Sequence, residues 1–348
     1  MKHTKTSFKI IAAVLCASML LPMCACGSDR TDSSASALGA DISVTVYGKD
    51  SAKAASDALG VYKALDSMLE EGDESSALYG LNNANGQSVV VPGQIIDMLN
   101  AAKTVYDRTG GALDPTVYPV LELWGFSTGK YIKPSDDDIA AALKKLCFDE
   151  IKIQSFADSG TYTVTMPAGS ALTFNAIARG CAGDYAVQAM KDDGVQSGII
   201  SMSGCVQTLG SKPDGTQWNV AVADPDDEKS SLGYLTVGET AVSTSGAYTQ
   251  SFEYSDGETY GHIIDPSTGY PADTDLKSVT IVCSSGIMAD CLSTALFILG
   301  SKDAIKYWRD YGDFDMILVT KDNKVLCTSG LTEAFSLQND SYTLSYTE

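Results

Sequence analysis

Ser278-Val-Thr-Ile-Val-Cys283, a short gap, and then Met288-Ala-Asp-Cys-Leu-Ser-Thr-Ala-Leu-Phe297 form the stretch on which the fold turns. Val279–Cys283 is a continuous run rich in β-branched residues and of strand length. Ile287–Leu299 is too long for an ordinary strand and reads as a helix. Within that helix Asp290 and Thr294 stand four apart, so they share one face. An acid in an otherwise apolar helix is costly to bury unless it is paired or binds a cation. A carboxylate beside a hydroxyl suits a hard, oxygen-seeking ion such as Mg²⁺. The same spacing is equally met if Asp290 caps the helix and Thr294 bonds back to a carbonyl.

Outward from this stretch, strands dominate from residue 150. The clearest are Ile151–Gln154, Tyr162–Met166, Ile199–Met202, Trp218–Val222 and Met316–Thr320, with a hairpin turn at Asp322-Asn323. Helices are expected at Ala178–Met190 and Ala304–Tyr311. Toward the N-terminus, Ile42–Tyr47 alternates as a half-buried strand and Ala52–Leu69 has helical spacing. Pro92 opens a helix that Gly110-Gly111 ends, and Ser135 N-caps another that runs to Leu146. Asp136, Asp137 and Asp138 then face that helix's positive end as exposed first-turn charge rather than as metal ligands. No stretch after residue 40 is long and polar enough to separate two domains. The class is α+β, in one two-layered unit.

The chain has 348 residues, 44% of them hydrophobic, 20% charged, with a net charge of −20. That composition excludes extensive disorder, and the charge repels phosphate backbones, so no nucleic-acid partner is expected. With only two histidines, His3 and His262, a multi-histidine zinc site is excluded. Lys2, Lys5 and Lys9 precede an apolar stretch from Phe8 to Met23, a signal-peptide pattern. It ends in Met23-Cys-Ala-Cys-Gly-Ser28, which resembles a bacterial lipobox with Cys26 as the lipidated residue. Residues 1–25 then form a lipoprotein signal peptide and 26–40, rich in Ser, Ala, Asp and Gly, a flexible tether. The location expected is the extracytoplasmic face of a bacterial cell membrane, held by the lipid. Beyond the leader, Cys147, Cys181, Cys205, Cys283, Cys291 and Cys327 show no metal-ligand spacing; they fit disulfides or buried thiols alike.

Three segments carry chemistry. Thr109-Gly-Gly-Ala-Leu-Asp-Pro-Thr-Val-Tyr-Pro-Val120 is a helix end followed by a proline-bounded turn. Its glycines let backbone N–H groups approach a ligand, and Asp114 can accept hydrogen bonds or simply shape the turn. Leu172-Thr-Phe-Asn-Ala-Ile-Ala-Arg-Gly180 runs from a strand into a helix, with Arg179 placed for a phosphate or carboxylate. The third joins Ser243-Thr-Ser-Gly246, Tyr260-Gly-His-Ile-Ile-Asp-Pro-Ser-Thr-Gly-Tyr-Pro271 and the opening stretch.

In order and wording, these segments resemble the ApbE family of FAD:protein FMN transferases, whose pattern runs T-x-G-x-F-D-P-T, D-L-G-A-I-A-K-G, T-S-G, H-I-I-D-P-x-T-G-x-P, S-V-T-V and A-D-x-L-A-T-A. The resemblance covers about residues 40–335. It implies one ApbE-like, T-fold-related catalytic domain over 41–348. It implies Mg²⁺ held by Asp290, Thr294 and the main-chain carbonyl of Ala176. Ala112, Leu113 and Asp114 would line the nucleotide site, Thr173 and Ile263 would touch the nucleotide, and Arg179 would stand beside the phosphates in place of a lysine. FAD is then the substrate. A Thr or Ser hydroxyl of an exported protein with an FMN-binding domain attacks the FMN-side phosphorus, AMP leaves and FMN stays as a phosphoester. His262 or Asp265 would take the hydroxyl's proton, His262 being better matched by its reference pKa near 6.5. The chain departs from the pattern at Thr173-Phe174-Asn175, which replaces Asp-Leu-Gly, and at Ser203-Gly204-Cys205, which replaces Gly-Gly-Asn/Asp. It also departs at Glu70-Glu71-Gly72-Asp73, where a flavin-stacking aromatic residue is missing. Two other functions share these features: Mg²⁺-dependent FAD hydrolysis to FMN and AMP, and flavin binding without turnover by a lipoprotein.

Overall fold

The computed structural model describes residues 29–156, 161–247, 251–255 and 257–347. The expected signal peptide and Cys26 lie outside the described residues. Strands β1 (Arg30–Ala37) and β2 (Ala40–Tyr47) open the chain, followed by helices α1 (Ser51–Leu69) and α2 (Ala77–Asn82). Strand β3 (Val89–Val91), helix α3 (Gly93–Thr109), a 3₁₀ turn at Pro115–Val117, and helices α4 (Tyr118–Trp124) and α5 (Asp136–Leu143) come next. Strands β4 (Lys152–Phe156) and β5 (Thr161–Thr165) lead to helix α6 (Ala178–Asp192). Then come β6 (Ser197–Met202), β7 (Cys205–Leu209), β8 (Trp218–Asp224), β9 (Asp227–Val237), β10 (Thr240–Gly246), β11 (Ser251–Glu253), β12 (Thr259–Gly261) and β13 (Leu276–Cys283). Helix α7 (Gly286–Tyr311) and strands β14 (Asp315–Thr320), β15 (Lys324–Thr328), β16 (Phe335–Leu337) and β17 (Thr343–Thr347) complete the fold.

Nine strands form one sheet in the order β1-β2-β6-β7-β10-β13-β14-β15-β17. All its pairings are antiparallel except β15 with β17. Helices α1, α6 and α7 cover one face, with α3 packed against α6 and α7, burying Ile42, Val44, Ile200, Val279, Ile281, Met316 and Leu318. Over β10 to β15 the other face is covered by the small sheet β16-β9-β8, which buries Val242, Val282, Ile317 and Val319. Strands β13 and β14 are thus buried on both faces, which is why Val279–Cys283 is apolar on both sides of the strand, interrupted only by the buried Thr280, rather than alternating. The mixed α and β layers match the expected class, with the small sheet as an added layer on one half.

The tether expectation is corrected at Arg30–Ala37. This segment pairs with β2 through eight registered residues, and Leu38 and Gly39 turn the hairpin with φ of 49° and 72°. Two successive positive φ values define the tight turn that matches strand twist. The Ser- and Ala-rich composition looks like a linker, but an edge strand needs only small inward residues, here Ala35 and Ala37, beneath α1. The other boundaries shift by a few residues; α5, for example, ends at Leu143 rather than Leu146. Helix α7 contains both expected C-terminal helices, broken at Gly300, where φ is 78°. All six cysteines beyond the leader are free thiols, so no disulfide ties the described fold. No helix among the described residues is long and apolar enough to cross a membrane.

Candidate active site

Two helix starts meet at the centre of the molecule. A Cβ on Gly180 would stand 2.0 Å from the Gly286 carbonyl oxygen, so only glycine lets α6 and α7 approach this closely. Each helix then supplies an acid to the other's first turn. Asp184 on α6 accepts from the backbone N–H groups of Gly286 (2.6 Å) and Ile287 (3.1 Å) and from the Ser285 hydroxyl (3.1 Å). Asp290 on α7 accepts from the Gly180 N–H at 2.6 Å. Both acids thus satisfy otherwise orphaned N–H groups and sit at positive helix ends. Asp290 caps the neighbouring helix, not its own; Ser285 caps α7.

The remaining oxygen of Asp290, Oδ1, accepts from the Ser243 hydroxyl and from the Cys205 thiol, whose Sγ is 2.8 Å away. Ser243 and Ser245 are two apart on β10 and therefore face the same side of the sheet, toward α7. The Ser245 hydroxyl lies 3.0 Å from that of Thr294 and 2.8 Å from that of Ser293. Burial raises the Asp290 pKa, against the lowering effect of its three donors and the Arg179 charge. Burial beside this carboxylate pushes the Cys205 thiol well up.

Asp290, Thr294 and Ala176 all line the same cleft. Its polar wall offers oxygen donors with one carboxylate. No group of three His, Cys, Asp or Glu residues among the described residues could cage a metal by itself. That donor set fits Mg²⁺, which keeps waters and takes further ligands from a substrate's phosphates. Cys205 is the one soft atom beside it.

The opposite wall comes from the Thr109–Val120 segment. Gly110 ends α3 in the left-handed region, and Thr109 Oγ1 accepts from the Ala112 N–H at 3.2 Å. Asp114 is buried, and its Oδ1 accepts from the Thr116 N–H (2.7 Å) and hydroxyl (2.6 Å), so it does shape the turn. Ala112, Leu113 and Asp114 nevertheless line the cleft. Burial raises the Asp114 pKa. The Thr173 N–H donates to the Pro115 carbonyl at 3.0 Å, which ties the first segment to the second. Asn82 clamps Leu172 through both its backbone groups, at 2.9 and 2.7 Å. Thr173 Oγ1 in turn donates to Glu71 Oε1 at 3.2 Å.

His262 and Ile263 line the cleft from the third segment, with the His262 ring edge-on to Phe126 at 6.4 Å between centroids. Asp265 does not line it. Its carboxylate accepts from the Ser267 N–H (2.8 Å) and hydroxyl (2.7 Å), and its carbonyl accepts from Gly269 N–H at 2.8 Å. The aspartate before Pro266 therefore helps shape the turn, and of the two candidate bases it is His262 that lines the cleft. That turn is seated by Trp124, whose Nε1 donates to the Gly269 carbonyl at 2.9 Å. Arg179 lines the cleft while donating to the carbonyls of Ser203 (3.1 Å) and Leu38 (3.5 Å).

The cleft, about 530 Å³, thus gathers every expected site residue among the described ones except Asp265. That volume lies within the range of small-molecule sites. Sequence reasoning missed Glu71, Tyr118 and Cys205, which also line it. Glu71, in a short acidic loop after α1, and Cys205 both enter the sequence reading only as departures from the family pattern, and Tyr118 only as part of the first segment.

Fold and site together define an α+β protein with a nucleotide-sized cleft, polar and acidic at one wall. The chain belongs to the ApbE family, whose family model matches residues 38–318. It is 31% identical over 279 residues to a FAD:protein FMN transferase of Treponema pallidum, covering 76% of each chain. A Klebsiella pneumoniae protein of the same name is 29% identical over 312 residues, 89% of this chain and 95% of that one. Among solved structures, the ApbE protein of Thermotoga maritima superposes with a TM-score of 0.79 at 29% identity, covering 88% of this chain and 99% of that one. The apo flavinyl transferase ApbE of Pseudomonas stutzeri gives 0.78 at 26% identity, covering 90% and 98%.

Proposed function

We propose that this chain is a Mg²⁺-dependent FAD:protein FMN transferase, acting on a Thr or Ser hydroxyl of an exported acceptor. The observation that carries the reading is the Asp290 carboxylate, buried between two helix starts yet opening onto a nucleotide-sized cleft beside Thr294 and Ala176. Those three residues would hold the ion, which when bound supplies charge neutralisation at the diphosphate. Arg179 adds fixed positive charge at the same wall, on a chain of net charge −20. The Ala112–Asp114 wall, Thr173 and Ile263 orient the nucleotide. Phosphoryl chemistry draws mainly on such positioning and electrostatics.

His262 takes the proton as the acceptor oxygen bonds to the FMN-side phosphorus. The P–O bond to AMP breaks, AMP leaves with that electron pair, and FMN remains esterified to the acceptor. Asp265 has no part in this step. If water enters in place of the acceptor, the same residues yield FMN and AMP. The presence of Asp290, Thr294 and His262 together in one cleft supports turnover over passive flavin binding.

The chain is further proposed to be anchored through a lipid on Cys26. With β1 starting at Arg30, only a few residues separate that cysteine from the sheet, so the catalytic domain works close to the membrane surface. Intact-mass spectrometry of a candidate FMN-binding-domain acceptor, incubated with FAD, Mg²⁺ and the leaderless protein, tests the reading. The expected result is a mass gain equal to esterified FMN, abolished by EDTA. AMP release with no acceptor gain in the presence of several hydroxyl-bearing acceptors would establish the hydrolase instead.

A further inference from the structure

Cys205 stands where the ApbE pattern carries an oxygen-bearing Asn or Asp, and nothing in the transfer chemistry uses it. It opens β7, directly across from Ser243 on β10 in the antiparallel register. Paired residues of neighbouring strands put their side chains on the same face, and the Cys205 Sγ accordingly lies 3.4 Å from the Ser243 hydroxyl oxygen. Asp290 meets this pair from α7, with its Oδ1 2.8 Å from the sulfur. A sulfur, a hydroxyl and a carboxylate are thus gathered by two paired strands and a helix, and all three residues line the cleft. Cys205 is the one cysteine among the described residues that does so. Cys283, the other half-buried thiol, donates instead to the Ser285 carbonyl at 3.1 Å.

A thiol proton joins Cys205 to Asp290. A cation can take its place, since a sulfur and an oxygen ligand of one tetrahedral Zn²⁺ stand about 3.5 Å apart, little more than the present separation. We infer that Cys205 makes the cation site at Asp290 thiophilic, so that a borderline-soft dication such as Zn²⁺ binds there through Cys205 Sγ and Asp290 Oδ1 and competes with Mg²⁺. The inference rests on the cation site proposed at Asp290, and adds to it the class of ion that blocks it. Binding breaks the S–H bond: the electron pair stays on sulfur and forms the bond to the ion, and the proton leaves to solvent. One thiolate and one carboxylate match the charge of the dication and leave its remaining positions to the Ser243 hydroxyl and water. Mg²⁺ gains nothing from the sulfur, because hard ions take oxygen ligands. In the proposed site Mg²⁺ uses Asp290 with Thr294 and Ala176, so the two ions share only the carboxylate. Cys205 is therefore a determinant of which ion the site holds, with no part in the transfer itself.

The test is a titration with Cd²⁺, the spectroscopic stand-in for Zn²⁺, of the wild-type chain, Cys205→Ser and Cys283→Ser, followed by the ultraviolet sulfur-to-metal charge-transfer band. The wild type and Cys283→Ser are expected to show one saturable band, and Cys205→Ser to lose it. A residue that only supports Asp290 by hydrogen bonding gives no such band. Zn²⁺ is then added to each chain loaded with Mn²⁺ and FAD, and the released Mn²⁺ is read by electron paramagnetic resonance. Half-release should need at least about tenfold less Zn²⁺ in the wild type than in Cys205→Ser. Should Cys205→Ser fold poorly, the ¹¹³Cd chemical shift of the wild type reads the ligation without a variant, since one sulfur ligand moves it far downfield of an all-oxygen site. No band in the wild type, a band that survives in Cys205→Ser, a band lost in Cys283→Ser, an all-oxygen ¹¹³Cd shift, or equal release of Mn²⁺ from both chains would each overturn the inference. No Mn²⁺ binding to the wild type with FAD would bring down the parent cation site, whereas Mn²⁺ bound with no Cys205-dependent band defeats this inference alone.

Discussion

Two buried aspartates, Asp290 and Asp224, show how the same side chain serves different ends. Asp224, at the end of β8 in the small sheet, is 2% exposed; Asp290 is 6% exposed. Asp224 accepts from the Asp226 N–H (2.9 Å), the Tyr342 hydroxyl (3.0 Å) and Asn339 Nδ2 (2.6 Å). Tyr342 also bonds to Asp226, which pairs with Lys277 at 2.6 Å, so a cation closes that network. Asp290 is as well supplied with donors, yet its neighbours are an N–H, a hydroxyl and a thiol, and it faces a cavity. Burial and hydrogen bonding alone therefore do not mark a functional acid. What separates the two is that Asp290 opens onto a cleft, whereas Asp224 is closed into a network that ends at Lys277.

The largest effect is expected at Asp290. Replacing it with Asn keeps the shape but removes the charge proposed to anchor a cation, and should lower kcat/KM for FMN transfer by about 10³. Its melting temperature should move by only a few degrees, since a neutral side chain costs less to bury. Loss of activity with an unfolded far-UV spectrum would instead make Asp290 structural like Asp224. Next, His262→Ala should cost about 10² in kcat with the fold intact, while Asp265→Ala should change kcat little and act on stability through its turn. Equal kinetic losses in both would restore Asp265 to the chemistry.

Asp224→Ala should reverse the pattern seen at Asp290. It strands Asn339 and one bond of Tyr342 in a closed core and should cost about 2–3 kcal/mol in denaturant unfolding, with kcat per folded molecule preserved. The smallest effect lies at Asp226, whose pKa the Lys277 and Tyr342 hydrogen bonds hold below its ordinary 3.8. A lowered folded-state pKa stabilises the protein above 3.8 and ceases to do so as pH falls through the folded value. Thermal melts of Asp226→Asn should accordingly sit slightly below wild type at pH 7 and converge with it below pH 3.8. A difference that persists at low pH would show that charge is not its source.

Much of this architecture was legible in the sequence because it is local. The β-branched run at β13, the helix carrying Asp290 and Thr294, the Gly110 helix end and the Ser135 cap each announce themselves within a few residues. What was not legible depends on partners far along the chain. Arg30–Ala37 is a strand only because β2 lies beside it, and a Ser- and Ala-rich edge strand has the composition of a linker. The mutual capping by Asp184 and Asp290 joins residues more than one hundred positions apart in sequence. Glu71 becomes a cleft residue only when the Thr173 segment folds over it. Asp265 shows the opposite case: its motif lies at the site, while Oδ1 of its carboxylate is engaged by the turn that presents His262 and Ile263 and the residue does not line the cleft.

The most direct test is a Mn²⁺ titration, followed by electron paramagnetic resonance, in the presence of FAD, of the wild type, Asp290→Asn and Asp224→Asn. Mn²⁺ stands in for Mg²⁺ as a hard, oxygen-ligated ion. The predicted result is one saturable site in the wild type and in Asp224→Asn, weakened at least tenfold in Asp290→Asn. Undiminished Mn²⁺ binding by Asp290→Asn would contradict the account, because the cleft would then hold its cation without the carboxylate on which the proposed transfer depends.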